Sequence, residues 1–186
     1  LFPEMFLGPL NHSIVGRAVA RGLLRVQVED IRNATHDVHH TADDYQYGGG
    51  AGMVMKPEPV FEAVEGVLGG LPEGVAKNTP IILMSPQGVT LDQGLASELA
   101  EYRSLVVICG HYQGVDARVR DHLATHELSI GDYILTGGEL AAMVLVDCIA
   151  RLLPGVVGSI ESVNEDSITS GLLQYPLYTR PKEYRG

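Results

Sequence analysis

"PIILMSPQGVTLDQGLASELAEYRSLVVICGHYQG", from Pro80 to Gly114, decides the fold class by its rhythm. Two apolar runs, "PIILMS" and "SLVVIC", are continuous rather than alternating, and between them Thr90 to Tyr102 reads as a helix, with Thr90 and Gln93 spaced as a capping box. A strand with one wet face would alternate, so continuous runs separated by a helix indicate parallel strands covered on both faces. The same rhythm continues downstream. "GVDARVRDHLA" is a second helix, "HELSI" a third strand, and "SIGDYILTGGELAAMVLVDCIARLLPG" (Ser129 to Gly155) becomes an apolar helix from Gly138, with Leu140, Met143, Val144, Val146 and Ile149 near helical spacing and Pro154-Gly155 ending it. The expected class is α/β, a mostly parallel sheet with helices on both faces.

The upstream part is less regular. Ile14 to Leu24 places Val15, Ala18, Val19 and Leu23 at helical intervals, and Leu24, Val26 and Val28 then alternate as a half-buried strand would. Ile31 to Met55 reads as a long polar loop, which in a compact domain is more often functional than idle. Pro57 to Leu68 is predicted helical, and Gly69-Gly70-Leu71-Pro72 a turn.

Composition limits the function. With 186 residues and 45% hydrophobic content the chain fits one good-sized domain, or one domain and a fragment of a second. Its longest apolar stretch, Leu140 to Ile149, is short of the roughly 20 residues that span a bilayer, and no basic-then-apolar leader opens the chain, so a cytoplasmic protein is expected. The start at Leu1-Phe2-Pro3 and the polar end "YTRPKEYRG" lead us to expect further sequence on both sides. A net charge of -10 disfavours non-specific attraction to nucleic acid, although Arg17, Arg21, Arg25 and Arg32, and again Arg180, Lys182 and Arg185, form local basic patches. Cys109 and Cys148 lie in apolar runs and read as buried thiols. "HDVHH" (His36, Asp37, His39, His40) has no Cys or further His at zinc spacing and reads as a solvated or RNA-facing loop.

Three strands are followed by three glycine-containing loops, "SPQG", "GHYQG" and "SIGDYILTGGE". In an open parallel sheet the carboxyl ends of the strands form one rim where ligands bind, and glycine there lets backbone groups approach a ligand. The three together point to one small molecule held mainly by backbone contacts. Phosphate cradles are missing: "GGGAGM" fails G-x-G-x-x-G at its last position, and neither G-K-[ST] nor G-x-S-x-G occurs. A ligand with an adenosine part and no phosphate fits, while a dinucleotide oxidoreductase loses support.

"SPQG", "ICGHYQGVDARV", "SIGDYILTGGELAAM" and "RLLPGV", with "DDYQYGGGAGMVM" before them and "EDS…YTRP" after, closely resemble the bacterial tRNA (guanine-N1)-methyltransferases of the TrmD family, in the SPOUT class. The likeness covers nearly the whole chain. It implies a C-terminal trefoil knot in the α/β domain, which no sequence pattern would suggest. It implies S-adenosylmethionine as methyl donor, magnesium as an added ion with no ligands assigned here, and a homodimer with the active site at its interface. The implied reaction is methylation of N1 of guanosine 37 in tRNA when guanosine 36 precedes it. Residues 1–160 would be the methyltransferase domain, and 161–186 the linker and start of a helical tRNA-binding domain.

Carried over position by position, the resemblance places the donor on Pro86, Gly110, Tyr112, Ser129, Ile130, Gly131, Asp132, Tyr133, Ile134, Leu135, Gly137 and Gly138. It makes Asp166 the general base and sets Arg151 at the guanine, and it puts Asp44, Tyr47, Gly48 and Gly49 in a substrate-facing loop. The chemistry suits them. Guanine N1 is a poor nucleophile until its proton leaves, a carboxylate within hydrogen-bond reach can take that proton, and a guanidinium stabilises the charge that grows on O6. Two positions depart from the common family pattern: Gln113 stands where many members have Glu, and His111 where many have Arg. Another RNA position is a second reading within the enzyme class. A non-catalytic nucleotide-binding module is a third, and it would be favoured by loss of Asp166 or Arg151, both of which are present.

Overall fold

The structure is a computed structural model that describes residues 1–158, 168, 173 and 175–185. Two 3₁₀ turns (Pro3–Phe6, Pro9–Asn11) lead into α1 (Ser13–Ala20). After a third turn (Ile31–Ala34) come a hairpin of β1 (Asp43–Tyr45) and β2 (Met53–Met55), then α2 (Pro57–Gly69) and α3 (Glu73–Ala76). The remaining elements alternate: β3 (Ile81–Thr90), α4 (Gln93–Ala100), β4 (Val106–Cys109), α5 (Ala117–His122), β5 (His126–Ser129) and α6 (Glu139–Ala150).

β3 lies in the middle of a parallel sheet ordered β4-β3-β5. That position explains its continuous apolar run, because both faces are covered. Ile81 and Leu83, with Ile108 of β4, pack on Val60 and Val64 of α2 and Val119 of α5. Ile82 and Met84, one residue out of phase, meet Leu128 of β5, Leu99 of α4 and Ala141, Ala142, Leu145 and Ile149 of α6. A third cluster, Leu10, Val15, Met143 and Ala150, seats α1 on the back of α6. α6 is therefore apolar nearly all round. Leu140 and Val144, one turn apart, are still left 48% and 42% exposed. Leu145 is fully buried, and Leu145→Ala is expected to cost about 2–5 kcal/mol in chemical denaturation, the range for a buried leucine that leaves a cavity.

Four expectations need correction. Leu24 to Val28 forms no strand: Leu24 and Val26 are half-buried against the α1 cluster, Val28 is exposed, and no ladder partner exists among the described residues. Burial on one side produces alternation without hydrogen-bonded pairing. The polar stretch from Ile31 contains the β1–β2 hairpin, whose short strands carry too few residues to show a period. The α4 cap is Asp92, whose Oδ1 accepts the Leu95 N–H at 2.8 Å, because Thr90 is used as the last residue of β3, opposite Ser129. Finally, β3 continues past Ser85, since Met84 and Val89 both pair with Leu128. "SPQG" is thus a bulge inside a strand rather than a strand-to-helix turn.

Candidate donor and substrate site

The three predicted loops lie together at the carboxyl rim of β3, β4 and β5. The first is the bulge with Pro86 exposed at its crest, and Gly88 backs so closely onto the Glu127 and Leu128 backbone that a side chain there would collide with it. The second, 110–114, turns sharply with Tyr112 at φ 59° and Gly114 at φ 115°, conformations that tyrosine seldom adopts and glycine adopts freely. In the third, 130–138, the Ser129 hydroxyl bonds both the N–H and the carbonyl of Gly131 at 3.1 Å, and the Tyr133 hydroxyl donates to the Ile130 carbonyl at 3.1 Å. Ile130 and Leu135 anchor this loop in the α4–α6 core, while Asp132, Tyr133 and Ile134 stay exposed.

The second and third loops are joined through their backbones. Gly138 N–H donates to the Gly110 carbonyl at 2.8 Å, and His111 and Gly137 form an antiparallel bridge. A Cβ at Gly138 would lie 2.8 Å from Cys109 Cα, and one at Gly137 would run into the Glu139 carboxylate and the His111 ring. Beneath them sits Glu139, 1% exposed and the one buried charged residue among those described. Neither of its carboxylate oxygens has a hydrogen-bond partner, and His111 Nε2 stands 3.7 Å away. Burial, with the charge of Glu139 beside it, pushes the Cys109 thiol up to about 12. The sequence alone assigns Glu139 no role. The available signal was a carboxylate opening a helix whose next seven residues are all apolar.

These walls fit an adenosylmethionine. Gly110 has nothing nearer its missing side chain than Val115 at 3.5 Å, so its backbone is open to close approach by a ligand. A hollow of about 520 Å³ lies elsewhere, among Pro72, Val75, Asn78, Tyr102 and Arg103, which precede the amino ends of β3 and β4.

The β1–β2 hairpin is rooted in the second loop. Gln113 N–H donates to the Met53 carbonyl, Met55 N–H to Gly114, and Asp116 N–H to Met55, each at 3.0 Å. The Gln113 side chain lies against Gly52, so this departure from the family pattern sits where the second loop and the hairpin meet. Asp44 pairs with Val54 in the hairpin, and Tyr47, Gly48 and Gly49 form its exposed tip, with both glycines at positive φ. His36 pairs with Glu62 at 2.7 Å, and Asp37 is occupied in a turn, where hydrogen bonds from Thr41 and His39 hold its carboxyl below the usual range. No cluster of three or more His, Cys, Asp or Glu suited to a metal occurs among the described residues.

Arg151 caps the far end of α6 and is exposed. Twelve helical residues put it about 18 Å along the axis from the rim loops of its own chain, so the structure does not bring it to them. Asp166 lies outside the described residues.

Two glycine-containing loops joined through their backbones at the carboxyl rim of a parallel sheet form a place where a small ligand can bind. The profile of the family described as tRNA (Guanine-1)-methyltransferase TrmD matches residues 1–186. The chain is 55% identical over 186 residues to a tRNA (guanine-N(1)-)-methyltransferase of Dehalococcoides mccartyi and 56% identical to one of Moorella thermoacetica, covering all of this chain and 73% of each relative. The crystal structure of tRNA (m1G37) methyltransferase from Aquifex aeolicus superposes with a TM-score of 0.79 at 37% identity, covering all of this chain and 75% of that one. The chain belongs to the tRNA (guanine-1)-methyltransferase family, TrmD.

Proposed function

We propose that this protein transfers a methyl group from S-adenosylmethionine to N1 of guanosine 37 in tRNA when guanosine 36 precedes it. The observation that carries the reading is the convergence of the three rim loops in a chain matched over its full length by the family. S-adenosylmethionine supplies an electrophilic methyl carbon on its sulfonium. Pro86, Gly110, Tyr112, Ser129 to Leu135, Gly137 and Gly138 hold it, mainly through backbone groups. Asp44, Tyr47, Gly48 and Gly49 present the base from the hairpin. Asp166 accepts the N1 proton, and Arg151 faces the developing negative charge at O6.

The separation of Arg151 from the rim supports a site shared between two subunits, each giving Arg151 and Asp166 to the donor held by the other. The exposed Leu140 and Val144 on α6 support a homodimer in which that helix is covered. The close passage of 130–138 across Gly110 supports the family's trefoil knot. Residues 161–186 act as the linker and start of a helical tRNA-binding domain, and a magnesium ion assists the reaction. Among the described residues no helix is long and apolar enough to cross a membrane, and we place the enzyme in the cytoplasm with its substrate. Methyl transfer from labelled donor should be robust on transcripts with guanosine at position 37 and at least about 10²-fold slower with adenosine there, which lacks the N1 proton and the O6 acceptor. Equal rates on both would overturn the reading.

A further inference from the structure

Glu139 poses a chemical problem that the proposed mechanism does not use. Its carboxylate is buried and without a hydrogen-bond donor, and a charge so placed needs compensation. Part comes from its position in the first turn of α6, where the helix N-terminus is positive. The remaining candidate partner is His111, whose ring is held between Phe2, edge-on at 4.9 Å, and Tyr112 at 5.6 Å, and whose backbone N–H is tied to Met55 Sδ at 3.2 Å. Nε2 faces Oε1 across 3.7 Å, so a small tilt of the ring closes a charge-assisted hydrogen bond. Gly137 lies at the gap, and any side chain there would push into both groups.

We propose that Glu139 and His111 form a charge latch between the second and third donor loops, engaged when the imidazole is protonated and weakened when it is neutral, so that donor affinity falls as pH rises. The inference rests on the reading that these loops hold the donor. His111 belongs to the loop that begins at Gly110, and Glu139 follows directly on the loop that ends at Gly138, so their attraction spans the roots of both. Among the described residues, the other titratable or charged groups near the pair are Cys109, which feels both the Glu139 charge and the Leu1 ammonium, Tyr112 beside the ring, and Arg32, whose guanidinium lies over the Phe2 ring at 5.9 Å. Of the side chains in this group only an imidazole ordinarily changes charge between pH 5 and 8. An arginine at this position would carry a charge that does not titrate in that range. His111 is therefore a positioning residue that makes donor capture in this chain responsive to pH.

Calorimetric titration of the full chain with S-adenosylmethionine at about pH 6 and about pH 8.5 tests this. The parent should bind about tenfold more weakly at the higher pH, the scale of one lost charge-assisted hydrogen bond. His111→Arg should bind equally at both, and Glu139→Gln should lose the dependence while binding more weakly than the parent at the lower pH. Without donor, the parent should lose thermal stability relative to His111→Arg between those two pH values, and Glu139→Gln should remove that difference. A parent binding profile that is flat, or unchanged in His111→Arg, overturns the latch, as does a parent melting temperature that follows that of His111→Arg at both. Should the parent bind no donor at either pH, the donor reading fails instead, and the melting comparison still decides whether the pair is coupled. If Glu139→Gln does not fold, the comparison of parent with His111→Arg decides alone.

Discussion

Asp166→Asn is expected to slow single-turnover methylation of tRNA by about 10²- to 10⁴-fold with donor saturating, the usual contribution of a positioned general base. Donor affinity should barely change, because the amide keeps the size and hydrogen-bonding capacity of the acid and loses only the ability to take the N1 proton. Raising the pH should recover part of the rate, since hydroxide then removes some of the proton that the side chain no longer accepts. Arg151→Ala should cost roughly 10²- to 10³-fold through the charge at O6. Both groups act on the same proton-loss step, so the double variant should lose less than the product of the single losses. An Asp166→Asn enzyme as fast as the parent at neutral pH would remove Asp166 from the chemistry and direct the search for the base to Asp44 on the hairpin.

The sheet was readable because burial on both faces leaves its mark: Ile81 to Met84 and Val106 to Cys109 are runs of consecutive apolar residues, ended by Ser85 and by Gly110. The second and third rim loops were readable for a related reason, as Gly110 and Gly131 stand where β4 and β5 stop. What escaped depends on partners distant in sequence. Met84 and Val89 share Leu128 only because β5 lies beside β3, so the bulge that carries Pro86 could not be seen in β3 alone. The hairpin is held by hydrogen bonds to 113–116 rather than by its own pattern. The role of Glu139 emerged only when His111, 28 positions away, was found across from it. Arg151 is the opposite case: its position at the end of α6 was legible, but its distance from the rim required the helix to be built.

Gly110→Val should fold normally and weaken binding of S-adenosylmethionine by more than about 10²-fold, because the added side chain meets the ligand rather than the protein. The three donor-loop glycines differ in what surrounds them. A side chain at Gly138 would strike the Cys109 backbone, and one at Gly137 would split Glu139 from His111, so either substitution disturbs the protein whether or not donor is present. At Gly110 the nearest atom to a new Cβ is Val115 Cγ1 at 3.5 Å, an ordinary contact, and the Gly110 carbonyl stays available to the Gly138 N–H. A loss of affinity at an unchanged melting temperature therefore reports on the slot itself, and calorimetry paired with thermal denaturation distinguishes the two effects. The same variant tests the shared site. Mixed with Asp166→Asn chains and allowed to exchange subunits, it should form heterodimers in which one site combines an intact donor slot from the Asp166→Asn chain with an intact Asp166 from the Gly110→Val chain. Activity should return in the mixture although neither parent variant is active. If exchange is verified by mass and no activity returns, Asp166 serves the donor of its own chain, and the reach of about 18 Å along α6 must be met by Arg151 alone from the other subunit.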